Sequence, residues 1–310
     1  MIKRAVGLEF DDNAVYFSDI SIIASEAFTE TSTKMIKINH CGHVNIEPEL
    51  ISNGEIVNFD LLKKSIFPLF KNYRIISPAS FIVGISGLKI FIRTFYIPKV
   101  PKKEISTFVH CEGENILPYP IVQVFYDYQI IGESETEYQI LFSAIDKKQL
   151  IKYLELFAKL KVPLYSLTAQ PFGLLNLVTF LRYNGGYNGI LTRIKDHLFD
   201  LIVIYKSKVD LIRTLAFQNS AQSDRVETFL NELTSTLSHF HSIHNLWLNS
   251  GLFIGDLQIL QAIRSQMPTF QWDYYPLLIK KALQDKVQPN NLQNELFCSI
   301  GLGLMGVMKG

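Results

Sequence analysis

The sequence predicts an α/β protein built as two similar lobes, and three observations carry that prediction. Runs of β-branched and aromatic residues, broken by polar turns, form three strands and then a helix near the amino end. Three more strands and a helix follow the glycine-rich stretch Asn184-Gly185-Gly186-Tyr187-Asn188-Gly189, which reads as a linker. Between the two sets, residues 103–161 spell helix, strand, strand, helix, a small α+β insert in the first lobe. No close sequence repeat links the halves; the echo is architectural.

The elements follow in order. Strands at 2–10 and 14–24 flank the turn Asp11-Asp12-Asn13, and the alternating 34–39 adds a third. Asn53-Gly54 marks a turn, and Asp60 caps a helix with Leu61, Leu62, Ile66 and Phe67 on one face. Strands at 81–85 and 88–95 surround Ser86-Gly87, and the two prolines of 96–103 mark a boundary. A helix from Lys103 to about Asn115 leads to the punctuated segment LPYPI. Strands at 122–131 and 138–145 follow, split by an acidic turn. Asp146 caps a helix whose Leu150, Tyr153, Leu154, Phe157 and Leu160 keep helical spacing, and a strand and a helix complete the lobe. Beyond the linker come three strands, a long helix opened by Asp224, a strand at 245–251 and a helix at 255–266. The apolar end, Leu296 to Met308, reads as a buried helix containing glycine.

Composition sets the limits. The 310 residues allow two or three domains, and 48% of them are hydrophobic, with 22 Phe and 14 Tyr to fill a large core. Disorder needs low hydrophobicity and high net charge, whereas this chain has 30 basic and 29 acidic residues and a net charge of +1. That balance gives no electrostatic reason to expect nucleic-acid binding. The greasiest stretch, 296–308, is shorter than the roughly 20 residues that a spanning helix needs, and the amino end lacks the apolar core of a signal peptide. Cys41, Cys111 and Cys298 are far apart and in no C-x-x-C pair. Together these predict a cytoplasmic address in a reducing compartment.

Several phrases narrow the class. NGEIVNFDLL, VGISGLKIFIRTFYIPKVPKKEI, NILPYPIVQVFYDYQIIG, SLTAQPFGLLNLV and FLNELTSTLSHFHSI lie in one order along the chain. The set resembles the PilM family of type IV pilus inner-membrane accessory proteins, and the duplicated layout with its insert resembles the actin-like ATPase fold (FtsA/PilM-type). The resemblance implies a first lobe over 1–185 with a 1C-like insert at about 97–162. It implies a second lobe over 186–310, with a 2B-like part at about 217–243. It also implies a scaffold of a pilus or type II secretion platform, held at the inner membrane by a partner. That partner is a PilN-like membrane protein whose extended cytoplasmic tail lies in a groove between the first-lobe core and the insert. Pro118, Tyr119 and Pro120, at the mouth of the insert, are then a candidate wall of the groove, or else a simple helix terminator.

The family's nucleotide motifs carry over poorly. Its phosphate loops use Asp-x-Gly turns that let backbone approach phosphate and let carboxylates organise Mg. Here the first loop reads Gly7-Leu8-Glu9-Phe10-Asp11-Asp12-Asn13, so Glu9 stands for the Asp and Asp11 for the Gly. One such repulsion against phosphate is about 4 kcal/mol at roughly 4 Å and an effective dielectric near 20. The second loop places Arg193 and Lys195 at the corresponding positions, and the adenosine loop keeps Gly251 alone. Neither ATP nor Mg is therefore expected, and the chain reads as a pseudo-ATPase. The alternative is a nucleotide-binding ATPase with unusual loops, Arg193 and Lys195 attracting phosphate without metal.

Other constellations read as structural. His239, His241 and His244 suit the end of a helix, where the dipole favours them. His40-Cys41-Gly42-His43 has ligand types but no second cluster, so no metal is expected. Asp127 and Asp146 sit at strand ends, and the GISG at 84–87 lacks the nucleophile-elbow pattern, so no catalytic residue is assigned.

Overall fold

The computed structural model describes residues 4–23, 35–76, 80–87, 90–181, 187–195, 197–217, 221–275 and 295–308. The chain forms two units. One holds Met1–Lys89, Lys147–Tyr183 and Leu278–Gly310, and the other holds Ile90–Asp146 and Asn184–Leu277. From the amino end come β1 (Arg4–Phe10), β2 (Ala14–Ile23), β3 (Met35–Asn45), the short hairpin β4 (Ile51–Ser52) and β5 (Glu55–Ile56), α1 (Phe59–Ile76) and β6 (Ser80–Ile85). The insert is β7 (Ile90–Pro98), α2 (Ile105–Ile116), β8 (Val124–Glu133) and β9 (Glu137–Asp146). Then follow α3 (Lys147–Leu160), β10 (Leu164–Ala169) and α4 (Gln170–Leu181). The second set is β11 (Gly189–Ile194), β12 (Leu198–Tyr205), β13 (Lys208–Ala216), α5 (Gln222–His244), β14 (Ser250–Ile254), α6 (Leu257–Gln266) and β15 (Gln271–Tyr274). Helix α7 (Leu296–Met308) is the last described element.

The duplication is explicit in the sheets. The first runs β10-β6-β1-β2-β3 and the second β15-β14-β11-β12-β13, so each opening strand lies at the centre of its own sheet. In both, the first three strands pair antiparallel and the two later ones join in parallel through helical crossovers. Central strands covered on both faces need continuous apolar runs. That is why β1, β11 and β12 are buried nearly end to end, and why composition is so rich in aliphatic residues.

Packing corrects several local readings. Asn58, not Asp60, caps α1: its Oδ1 accepts the Leu61 amide at 3.2 Å. Leu62 and Ile66 are buried as expected, joined by Leu69 and Phe70, while Leu61 and Phe67, to either side of that stripe, are exposed. In α3 the buried set is Gln149, Tyr153, Leu156, Phe157 and Leu160, and Leu154 faces out. Helix α3 is not part of the insert. Its Tyr153 and Phe157 pack edge-on to Phe10 of β1 at 5.4 and 5.9 Å, and Phe157 meets Phe70 of α1 at 5.8 Å. The insert itself is the sheet β7-β9-β8 with α2 across it, closed by Ile105, Val109, Val124, Ile140 and Phe142.

The expected strand at 245–251 begins only at Ser250. Asn245, with φ of 52°, ends α5 in the left-handed conformation. Leu246 and Trp247 are exposed, the indole stacked on His241 at 4.2 Å, so their apolar alternation does not mark a strand. The 2B-like part expected at 217–243 is the single helix α5, packed on its own sheet through Val226, Phe229, Leu233 and Phe240.

The expected second lobe, 186–310, does not keep its last helix. Helix α7 packs on β1, β2, β6 and α4 of the first unit. Its Ser299 hydroxyl lies 2.7 Å from Ser18 on β2, both buried. A Cβ on Gly7 would lie 1.9 Å from the Ser299 carbonyl oxygen, and one on Gly301 would lie 1.7 Å from that of Gly173. Backbone meets backbone along this seam, and only glycine fits.

Candidate functional site

The first loop is filled from within its own unit. Gly7 serves the α7 seam, and Glu9 is fully buried in β1. Asp11 turns the chain: its amide donates to Ala14 O at 2.9 Å, and its Oδ1 accepts the Asp12 amide. The Asn13 carbonyl accepts the amide of Ile46. The neighbouring Asp12 spans to the β4–β5 turn, accepting the Asn53 amide at 3.0 Å and the Gly54 amide at 3.2 Å. Gly54 needs its freedom: φ is 76°, and a Cβ would lie 1.8 Å from the Ser86 carbonyl. The Gly54 carbonyl in turn accepts from Gln149 Nε2 at 2.8 Å and Tyr153 Oη at 2.9 Å, and Gln170 Nε2 donates to Phe10 O at 2.6 Å. In open α/β sheets, ligands bind beyond the carboxyl ends of parallel strands. At the ends of β1 and β6 the turns at 11–13, 53–54 and 86–87 interlock instead.

Tyr153 gives this cluster a pH signature. Burial first, then the Asp12 and Asp11 carboxylates, hold its phenol protonated well above the ordinary 10.0. An unfolded tyrosine ionises near pH 10, so the stability from the buried neutral phenol is complete below that pH and drains away as pH rises toward the folded value. Urea unfolding between pH 8 and 11 is expected to show a steeper alkaline loss for the native chain than for Tyr153→Phe. At neutral pH the variant is expected to lose about 1 kcal/mol, since Gln149 keeps the Gly54 carbonyl satisfied.

The second loop is likewise occupied. Arg193 sits opposite Asp200 in the β11–β12 register, and its Nη2 lies 3.2 Å from Oδ2, the side chains 7% and 6% exposed. Thr214 Oγ1 donates to the other carboxylate oxygen at 2.7 Å. The reversed charge that the sequence places here is thus neutralised inside the sheet. The Lys195 amide closes the turn onto Leu198 O, and its carbonyl accepts from Arg225 at 2.5 Å. Gly251 makes room for Trp272: a Cβ would lie 2.4 Å from the indole.

In the insert, Pro118 and Pro120 are exposed, and Tyr119 packs on the insert core between α2 and the turn Ile121–Gln123. Strand β8 follows at once. It pairs with β9 alone among the described strands and is therefore an edge. Val122, in the turn before it, and Phe125 and Ile130, on the strand, are 71%, 45% and 41% exposed. An open edge beside exposed apolar side chains is a template for an added strand.

The remaining candidates come apart. His244 Nε2 is 3.0 Å from Asp210, His241 stacks on Trp247, and His239 faces a cleft described below. Burial raises the Cys41 thiol and keeps it protonated, and His43 packs against Tyr16. Asp127 is opposite Ser143 and Asp146 opposite Val124, so the two do not face each other. Among the described residues no group of three or more His, Cys, Asp or Glu is placed to hold a metal ion.

Sequence reasoning missed one feature. Within the second unit a cleft of about 570 Å³ opens between β7, β9, β13 and α5, lined by Arg93, Tyr96, Gln139, Arg213, Ser235 and His239 among others. Thr94 Oγ1 donates to the Asp210 carbonyl and ties β7 to β13. Burial and then the Arg213 guanidinium both disfavour the charge on Arg93. The two arginines lie on segments far apart in the sequence, and no spacing signal joins them.

Two five-stranded sheets of matching topology, with an α+β insert in the chain between β6 and β10, the fourth and fifth strands of the first sheet, define an actin-like fold. Within that class, residues 15–163 match the family model for the type IV pilus assembly protein PilM. The PilM-PilN type IV pilus biogenesis complex superposes with a TM-score of 0.76 at 17% identity, covering 98% of this chain and 98% of that one. The cytoplasmic domain of EpsL, an inner-membrane component of the Vibrio cholerae type II secretion system, superposes with a TM-score of 0.53. Its identity is 8%, over 99% of this chain and 95% of that one. A Bacteroides thetaiotaomicron protein with an actin-like ATPase fold follows at 0.48, with 11% identity over 92% and 96%. At such identities the structural likeness carries the fold. No curated protein sequence matches the chain. Among the described residues no helix is long and apolar enough to cross a membrane.

Proposed function

We propose that this chain is a cytoplasmic scaffold of a type IV pilus or type II secretion inner-membrane platform, which holds the extended cytoplasmic tail of a PilN-like membrane subunit. The observation that carries the reading is the match of residues 15–163 to PilM, seconded by a fold shared over 98% of a chain of the PilM-PilN complex. Physical support comes from the insert. Strand β8, which pairs with β9 alone among the described strands, offers an open edge to an extended peptide, and Val122, Phe125 and Ile130 offer apolar contacts beside the Pro118-Tyr119-Pro120 turn. The partner brings the membrane anchor.

The same reading has the chain work without ATP turnover. Its support is the set of internal partners at each loop: Asp12 takes the amides of the Asn53-Gly54 turn, Asp200 takes Arg193, and Trp272 takes the space beside Gly251. Loops that satisfy one another leave few donors for a polyphosphate.

Two measurements test it. A synthetic peptide of the PilN-like tail is expected to slow amide exchange over residues 118–130, and protection confined to β11–β15 would overturn the partner site. Titration calorimetry with Mg-ATP is expected to show no heat of binding. Micromolar affinity that weakens in Asp11→Asn or Lys195→Gln would establish the nucleotide-binding alternative instead.

A further inference from the structure

The cleft between the insert and α5 has a charge imbalance that points to a ligand. Its lining holds two guanidinium groups, Arg93 and Arg213, against one carboxylate, Asp210, which meets His244 at 3.0 Å, while Arg213 pairs at 2.8 Å with Glu232, which is not among the lining residues. Arg213 also donates to Thr236 at 3.1 Å. Arg93 has no such match. One Nη donates to the Ile92 carbonyl at 2.8 Å and the guanidinium lies over the Phe91 ring at 4.7 Å, yet no carboxylate pairs with it among the described residues. A half-buried guanidinium facing a second one needs an anion.

Several of the surrounding groups can donate, although the Asp210 carboxylate and the apolar Leu211 and Ile243 also line the cleft. Tyr96, whose phenol is held protonated by burial and by Asp210 and Glu137, stands on β7, the Gln139 amide on β9, and the Ser235 hydroxyl and His239 ring on α5. A carboxylate has two oxygens to offer. A planar guanidinium fork with several further donors around it matches the three oxygens of a phosphate better. The volume, about 570 Å³, falls in the range of small-molecule sites and exceeds what a bare phosphate fills.

We infer that this cleft binds a small phosphate-bearing ligand of nucleoside-monophosphate size, its phosphate held by Arg93 with Arg213 beside it. Such a ligand bridges β7 and β9 of the insert to β13 and α5 beside the Thr94–Asp210 tie, and so stiffens the unit that carries the β8 edge. The site is distinct from the loops at 7–13, 193–195 and 248–252, and the inference does not rest on the partner reading, because its readout is ligand binding alone.

The test uses the full chain and AMP, pyrophosphate and inorganic phosphate without added metal, followed by thermal shift and by titration calorimetry. AMP is expected to bind and raise the melting temperature. Arg93→Gln is expected to weaken it about tenfold or more, the loss of a charge-assisted hydrogen bond, and Arg93→Lys to recover part of that. Ser235→Glu, an exposed position on α5, is expected to abolish binding by placing a carboxylate in the cleft without disturbing any core contact. Lys195→Gln is expected to change nothing. Binding of phosphate or pyrophosphate in place of AMP, with the same dependence on Arg93, supports the site for a smaller ligand. No binding of any of the three at millimolar concentration, or binding that Lys195→Gln weakens and Arg93→Gln spares, overturns it.

Discussion

Gly301→Ala is expected to destabilise the first unit by about 3 kcal/mol or more, seen as a fall of roughly 10 °C in melting temperature. The added methyl would lie 1.7 Å from the Gly173 carbonyl oxygen and 2.5 Å from its carbon, atoms of backbone that no rotamer change can move aside. Alanine gains about 1 kcal/mol over glycine in helix propensity, so a purely local view predicts the opposite sign. Gly7→Ala is expected to act in the same direction, since its methyl meets the Ser299 carbonyl at 1.9 Å. Unfolding followed by circular dichroism decides the matter. Native-like stability in both variants would mean that α7 does not lie against β1 and α4 at this distance.

The second large effect is expected at the Arg193–Asp200 pair. Arg193→Met leaves the Asp200 carboxylate buried with Thr214 as its remaining side-chain donor, and such uncompensated charge costs about 3–5 kcal/mol. The double variant Arg193→Met, Asp200→Leu is expected to regain most of the loss, because the pair is flanked by a sheet interior that accepts apolar side chains. Urea unfolding of the two single variants and the double one completes the cycle and isolates the coupling. Additive losses would show that Arg193 is not held by Asp200, and would return it to the role of a phosphate ligand.

These two sites mark how far the chain was legible. The strand runs at 4–10, 14–23, 189–194 and 198–205, the Asn53-Gly54 turn and the glycine-bearing end helix all follow from local chemistry, as does the three-strand-plus-helix rhythm on both sides of the linker. Of that linker, residues 187–189 are described and 184–186 lie outside the described residues. The charge reversal at Arg193 was visible, and its partner was within reach, since Asp200 is seven residues on across a hairpin turn. Local spacing shows a basic residue where a phosphate loop is expected, whereas the sheet supplies its own carboxylate partner. Leu61 and Phe67 were misplaced because adjacent apolar residues fit two helical faces equally well, and the core beneath α1 selected one.

The amino-acid sequence by itself determined the two-sheet α/β plan, the insert, the near-neutral charge and the departure of all three nucleotide loops from their expected pattern. Each of these is written in periodicity, turn chemistry or residue identity over a few neighbouring positions. Tertiary structure alone decided that α3 and α7 join the first unit, that Gly7 and Gly251 make room for a helix and an indole, and that Arg93 faces Arg213 across a cleft. Those facts depend on which distant surfaces meet, and burial, backbone approach and charge neutralisation act on positions in space that local spacing does not encode.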